Sequence, residues 1–195
     1  RRGFLFYFCT MKWIGSRISF VDHPTKTTVV IEPEKNFWVN MMMGAWLAMW
    51  YVVGFTLIWA FYTLTLSQQE QIIVIVSLVF WLYYASRVTK AFLWLQYGKE
   101  KIKMDEVGIH IKKSIGNYGK SIIYYHENIK QISIIFPEPN SIQSVWESSP
   151  WINGGERIYF DYLTKQVRFG KKINQKDATI LLNVLIKRSR QFIKK

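Results

Sequence analysis

The sequence predicts a hairpin of two membrane-spanning helices followed by an α+β domain of about seven strands and one C-terminal helix. Three observations predict it. First, the mean hydropathy over 195 residues is +0.02 although the net charge is +13, so the apolar residues must be segregated from the lysines. Second, they are: no charged side chain occurs from Asn36 to Gln69, and none again between Glu70 and Arg87. Third, beyond Lys99 the texture changes to short apolar–polar alternations divided by turn signals. Two long uncharged stretches exclude a simple soluble globule. The 9 Trp, 11 Tyr and 13 Phe exclude a disordered chain.

A hydrocarbon core about 30 Å thick needs roughly 20 apolar residues of helix. Met41 to Leu64 meets that length, with Trp38 near one end and Trp59, Phe61 and Tyr62 near the other, where aromatic rings favour the headgroup level. The second span begins at Ile72, and its uncharged part ends at Ser86. Arg87 and Lys90 follow one turn apart. Their stems can lie along the helix while the charges stay at the interface; an intramembrane ion or substrate contact is the other reading of Arg87. Trp46, Trp50, Trp59 and Trp81 read as lipid-facing or interhelical packing rather than a pigment or quinone pocket.

Only Ser67–Gln71 separates the spans, so both chain ends face the same side. The loop carries no Lys or Arg, against six before the first helix and twenty from Arg87 onward. The positive-inside rule places both termini in the cytoplasm, and the basicity reads first as a topology and lipid-surface signal, not as nucleic-acid binding. This gives three regions: residues 1–36 ahead of the hairpin, the hairpin itself at 37–98, and a cytoplasmic domain at 99–195. Thr27–Ile31 reads as an edge strand added to that domain. No cleavable signal peptide is expected, Met11 offers a start, and Cys9 is the single cysteine, so no disulfide framework is possible.

In the domain, the expected strands are Lys101–Met104, Val107–Lys113, Lys120–Tyr125, Ile129–Phe136, Ile142–Trp146, Arg157–Tyr162 and Gln166–Phe169. Gly116–Gly119 reads as a hairpin turn. Asn174-Gln175-Lys176-Asp177 then opens a helix of about 18 residues, with Ala178, Leu181, Leu182, Leu185, Ile186, Phe192 and Ile193 at helical spacing. Its expected place is over the open side of the sheet; a helix lying on lipid is the alternative.

Seven strands and a C-terminal helix resemble the pleckstrin-homology (PH) fold. The phrase MDEVGIHIKKSIGNYGKSIIYYHENIKQISI, behind a tight membrane hairpin and a basic exit, resembles the bacterial PH-like, YcxB-like membrane proteins. The residues that carry the likeness are Glu106, Gly108 and Ile109, then Ile123, Tyr125, Ile129 and Ile132, with Tyr125 where that group more often has Trp. The plan is also similar to the two-helix photosystem I assembly factor of plastids and cyanobacteria. The resemblance implies a bacterial inner-membrane protein with an accessory, assembly or scaffold role.

For chemistry there is little to work with. His23, His110 and His126 fall in different elements, and no HExxH, Walker A, GxSxG or GxGxxG motif occurs. No enzyme, catalytic residue, metal or cofactor is expected. Two binding surfaces stand out. Arg87, Lys90, Lys99, Lys101 and Lys103 form a basic exit suited to anionic lipid. The long loop Pro137–Gly155 displays Trp146 and Trp151, expected to dock a partner, either another integral membrane protein or a second copy. The alternatives are a ligand-gated membrane-disrupting effector of an antiphage system and an anionic-headgroup sensor.

Overall fold

The computed structural model describes residues 11–23, 25–152 and 154–193. Cys9, Asn153 and the Ile193 side chain lie outside that description. The chain divides into two compact units. One holds the residues through Glu34, Tyr97–Ser148 and Gly154 onward; the other holds Lys35–Gln96 and Ser149–Asn153.

The first unit is built on two antiparallel sheets. Six strands run in sequential order: β1 (Met11–Ile14), β2 (Ile18–Asp22), β3 (Lys26–Ile31), β4 (Gly98–Asp105), β5 (Gly108–Ile115) and β6 (Ser121–Tyr125). A second sheet takes β7 (Ile129–Ile134), β8 (Glu156–Tyr162) and β9 (Lys165–Lys171). The period of two is plain in β4, where Gly98, Glu100, Ile102 and Met104 are buried and Lys99, Lys101 and Lys103 alternate with them on the outer side. The core joins Ile18, Val29, Ile102, Ile109, Ile158, Phe160 and Phe169 to Ala178, Leu181 and Leu185 of α4 (Gln175–Ile193). That helix therefore packs its apolar stripe on the sheets, as its spacing predicts.

Charge also holds the sheets together. Glu100 of β4 is fully buried and accepts hydrogen bonds from the Gly170 and Lys171 amides of β9 at 2.8 and 3.2 Å. Lys113 reaches Glu156 at 3.0 Å and Glu100 at 3.8 Å. Burial pushes the Glu100 carboxyl up from its usual range, against the pull of Lys113 and the two amides. Arg17, in the β1–β2 turn, donates to the carbonyls of Glu32 (3.0 Å), Lys172 (2.8 Å) and Lys171 (3.3 Å).

The second unit is the helical hairpin, α1 (Phe37–Thr63) and α2 (Gln68–Tyr97), both long and apolar enough to cross a membrane. Their facing sides meet through Met43, Leu47, Val88 and Ala91. At Gly54 the helices come so close that a Cβ would lie 1.9 Å from the Trp81 ring, which explains the glycine. Trp81 Nε1 donates to the Trp50 carbonyl at 2.8 Å and Trp50 Nε1 to the Trp81 carbonyl at 3.4 Å. Tyr51 and Thr89 share a hydroxyl hydrogen bond of 2.9 Å. Indole and hydroxyl groups that an apolar surrounding could not satisfy thus find partners across the hairpin.

Several expectations are corrected. Ile142–Trp146 is not a strand but part of a short helix, α3 (Ile142–Ser148). Ser141 caps it, its Oγ accepting from the Ser144 amide at 3.1 Å, and no strand lies beside it to supply a ladder. The segment before the hairpin gives three strands, not one edge strand: β3 sits inside the sheet, between β2 and β4. The inter-helix loop is Leu64–Ser67 instead of Ser67–Gln71, because α1 ends at Thr63 and Ser67 and Glu70 form a capping box that starts α2 at Gln68. The Ser67 amide and hydroxyl both donate to Glu70 Oε2 at 2.8 Å. The Gly116 turn is confirmed: Ile115 and Tyr118 exchange backbone bonds of 2.9 and 3.1 Å around Gly116 at φ 59°.

Candidate interaction surfaces

The basic residues are divided between the two units. Arg87 and Lys90 are exposed on α2, and the Arg87 guanidinium lies 5.8 Å over the Tyr83 ring, one turn back along the same helix. A stem folded along its own helix is the snorkelling arrangement. Lys99, Lys101 and Lys103 belong to the sheet unit. Lys99 pairs with Glu32 at 3.1 Å and Lys103 with Asp105 at 2.8 Å, which neutralises two of the three. Lys101 stands opposite Lys112 in the β4–β5 register.

The two loop tryptophans also part. Trp146 lies on α3 in the sheet unit, 66 % exposed. Trp151 belongs to the helical unit, its ring 5.0 Å from Trp46 and nearly perpendicular to it; Trp46 in turn stacks on Trp50 at 5.2 Å. Trp151 is thus held by aromatic packing.

Two surfaces escaped the sequence reading. On α3, Ile142 and Val145 point outward with Trp146, while Gln143 and Glu147 line a cavity of about 350 Å³ with Phe136, Arg157 and Arg168. The signal was present as the i, i+3, i+4 spacing behind a Ser cap. The other surface is β6, the terminal strand of the large sheet. Ile122, Ile123 and Tyr125 on it are all about half exposed. Successive residues of a strand point to opposite faces, so exposure of both Ile122 and Ile123 means that neither face is covered there.

One polar cluster is tighter than the sequence suggested. Asp105 caps the β4–β5 turn, accepting from the Val107 and Gly108 amides at 3.2 Å each, and His110 Nε2 stands 3.1 Å from its carboxylate. His126 Nε2 donates to the Asp105 carbonyl at 2.8 Å. Burial alone would raise the Asp105 pKa, but the Lys103 and Gly108 hydrogen bonds and the His110 charge outweigh it and hold the carboxyl below its usual range. This is a turn lock, and among the described residues no group of three or more His, Cys, Asp or Glu side chains could hold a metal ion. No protein-family model, curated protein or solved structure matches the chain.

Proposed function

We propose that this chain is a non-enzymatic membrane adaptor: a two-helix anchor that holds a PH-like domain at the cytoplasmic face of a bacterial inner membrane, where the domain docks another membrane protein. Several features support the anchor. Only 17 % and 11 % of the most apolar windows of α1 and α2 are buried, and Val52, Phe55, Ile73, Val79 and Phe80 are exposed; water would not tolerate such a surface. The lysine and arginine distribution supports cytoplasmic ends. Strands β3–β9 and α4 supply the seven strands and C-terminal helix of the PH plan, with β1–β2 as an extra hairpin and the membrane helices inserted between its first two strands.

The observation that carries docking is β6. An edge strand that exposes Ile122, Ile123 and Tyr125 is an aggregation hazard unless something covers it. Addition of a partner strand would satisfy its free backbone groups as well as its side chains. The test is mild detergent extraction of the tagged full-length protein and mass analysis of what co-purifies. A different membrane protein should appear in stoichiometric amount and be lost with Ile123→Lys and Tyr125→Lys. Retention of the partner by that variant would sink the β6 assignment, and a homo-oligomer alone would favour the effector reading.

A further inference from the structure

The short helix α3 is built inside out. Ile142, Val145 and Trp146, at i, i+3 and i+4, form one stripe that is 88 %, 67 % and 66 % exposed. The opposite side carries Ser144 and Glu147, which are half-buried, while Gln143 is exposed on the flank between the two. Gln143 Nε2 donates to Glu147 Oε1 at 2.8 Å, and Arg157 donates to Glu147 Oε2 at 2.7 Å. The Arg157 guanidinium also lies over the Phe136 ring, 5.3 Å from its centroid. A helix on a water-facing surface turns its apolar stripe inward. Here the polar stripe is fastened inward by an ion pair and the apolar one is offered outward.

What covers that stripe follows from the residues next to it. Ser149–Asn153 belong to the helical hairpin, with Trp151 packed on Trp46. Gly44 faces Phe92 and Gly54 faces Trp81 across the hairpin, so Trp46 stands at the level of the Arg87–Lys90 turn. Counted from Ile72, a hydrocarbon core of about 30 Å, or roughly 20 helical residues, ends at that same turn, where the first charges after Glu70 appear. Trp46 and Trp151 therefore occupy the layer that tryptophan prefers. Trp146 is five residues from Trp151, and so at most about 18 Å from it along the chain.

We propose that α3 is an interfacial anchor: Ile142, Val145 and Trp146 lie on the lipid at the boundary of headgroups and acyl chains. The partner of this face is the bilayer surface, and with no Lys or Arg in α3 the contact is apolar and independent of lipid charge. The proposal rests on the reading of α1 and α2 as membrane spans.

The test uses the full chain with Cys9→Ser and one new cysteine at a time, at positions 142 to 147 and, as a control, Val79→Cys. Each variant is spin-labelled and reconstituted in phosphatidylcholine vesicles, with and without phosphatidylglycerol. Accessibility to oxygen and to a water-soluble nickel chelate is then measured. Positions 142, 145 and 146 should favour oxygen severalfold over positions 143, 144 and 147, equally in both lipids, while Val79 reads deep. Nickel access at 142, 145 and 146 with Val79 still deep would overturn the anchor alone. Shielding of those positions from both reagents would mean that a second copy covers them, and this too overturns it. A Val79 label open to nickel would instead overturn the membrane-spanning reading.

Discussion

Single residues show where packing tolerances are smallest. Gly54 has no room for even a methyl group beside Trp81. Gly54→Ala should cost about 1–3 kcal/mol, the usual range for overpacking. It should also break the reciprocal indole–carbonyl pair, checked as a lowered midpoint of thermal unfolding in detergent. Glu100 invites a second test. Its carboxyl is raised above the ordinary value, so the folded state binds its proton more tightly than the unfolded state does. The charged form therefore costs stability above the unfolded pKa of about 4.3, and that cost is lifted as pH falls through the raised value. Urea titrations of the full-length protein should show stability declining as pH rises across that window, and Glu100→Gln should remove the decline. Asp105 has the opposite sign. Its lowered pKa contributes stability above about 3.9 that is lost on acidification, so Asp105→Asn should flatten the acid limb. An unchanged limb would mean that its turn bonds contribute the same whether it is charged or neutral.

Among the elements, period and punctuation decided what was legible. The alternation in β4 and β5 and the length of the two apolar stretches were readable because each repeats over many residues. In contrast, Ile142–Trp146 spans only five; Ile142 and Trp146 alone would suit a strand, and only Val145, three residues after Ile142, speaks for the helical period. The deciding facts are non-local or small: no strand stands beside it, and Ser141 caps it. The meeting of two histidines at one turn was not legible for a related reason. His110 and His126 are far apart in sequence, yet the β5–β6 register pairs Gly108 with Tyr125 and brings both rings to Asp105. The capping box of α2 was legible in Ser67-Gln68-Gln69-Glu70 but was masked by treating that stretch as loop. Glu70→Ala should free the Ser67 amide and fray the first turn, read as faster hydrogen exchange at Gln68–Gln71.

At the scale of the whole molecule, the pairing of β3 with β4 joins strands on either side of the hairpin, with Ile31 opposite Glu100. No local pattern announces such a contact, which is why β3 read as an edge. It also predicts that the sheet unit can be closed without its anchor. Replacing residues 35–96 by a short glycine-containing turn should leave β3 and β4 a hairpin and yield a folded, water-soluble domain, visible as dispersed amide resonances. A collapsed spectrum would mean that the sheet needs the helices. The basic exit and the tryptophans were only half legible, because local ion pairing at Lys99 and Lys103 and the division of Trp146 from Trp151 are products of tertiary structure.

That same pairing has a consequence for how the chain is made. The first three strands leave the ribosome before either helix, and their partner β4 comes only after the second helix is complete. Until then β3 exposes an unpaired edge, the condition in which strands find wrong partners. If α1 and α2 span a bilayer, as proposed above, the sheet can close only when α2 returns the chain to the side from which α1 departed. An insertion error that strands β4 across the bilayer would leave the first meander permanently open, a target for proteases and chaperones. On the proposed reading, closure of the sheet would report on membrane topology, because β3 can pair with β4 only in a chain whose hairpin has entered and come back.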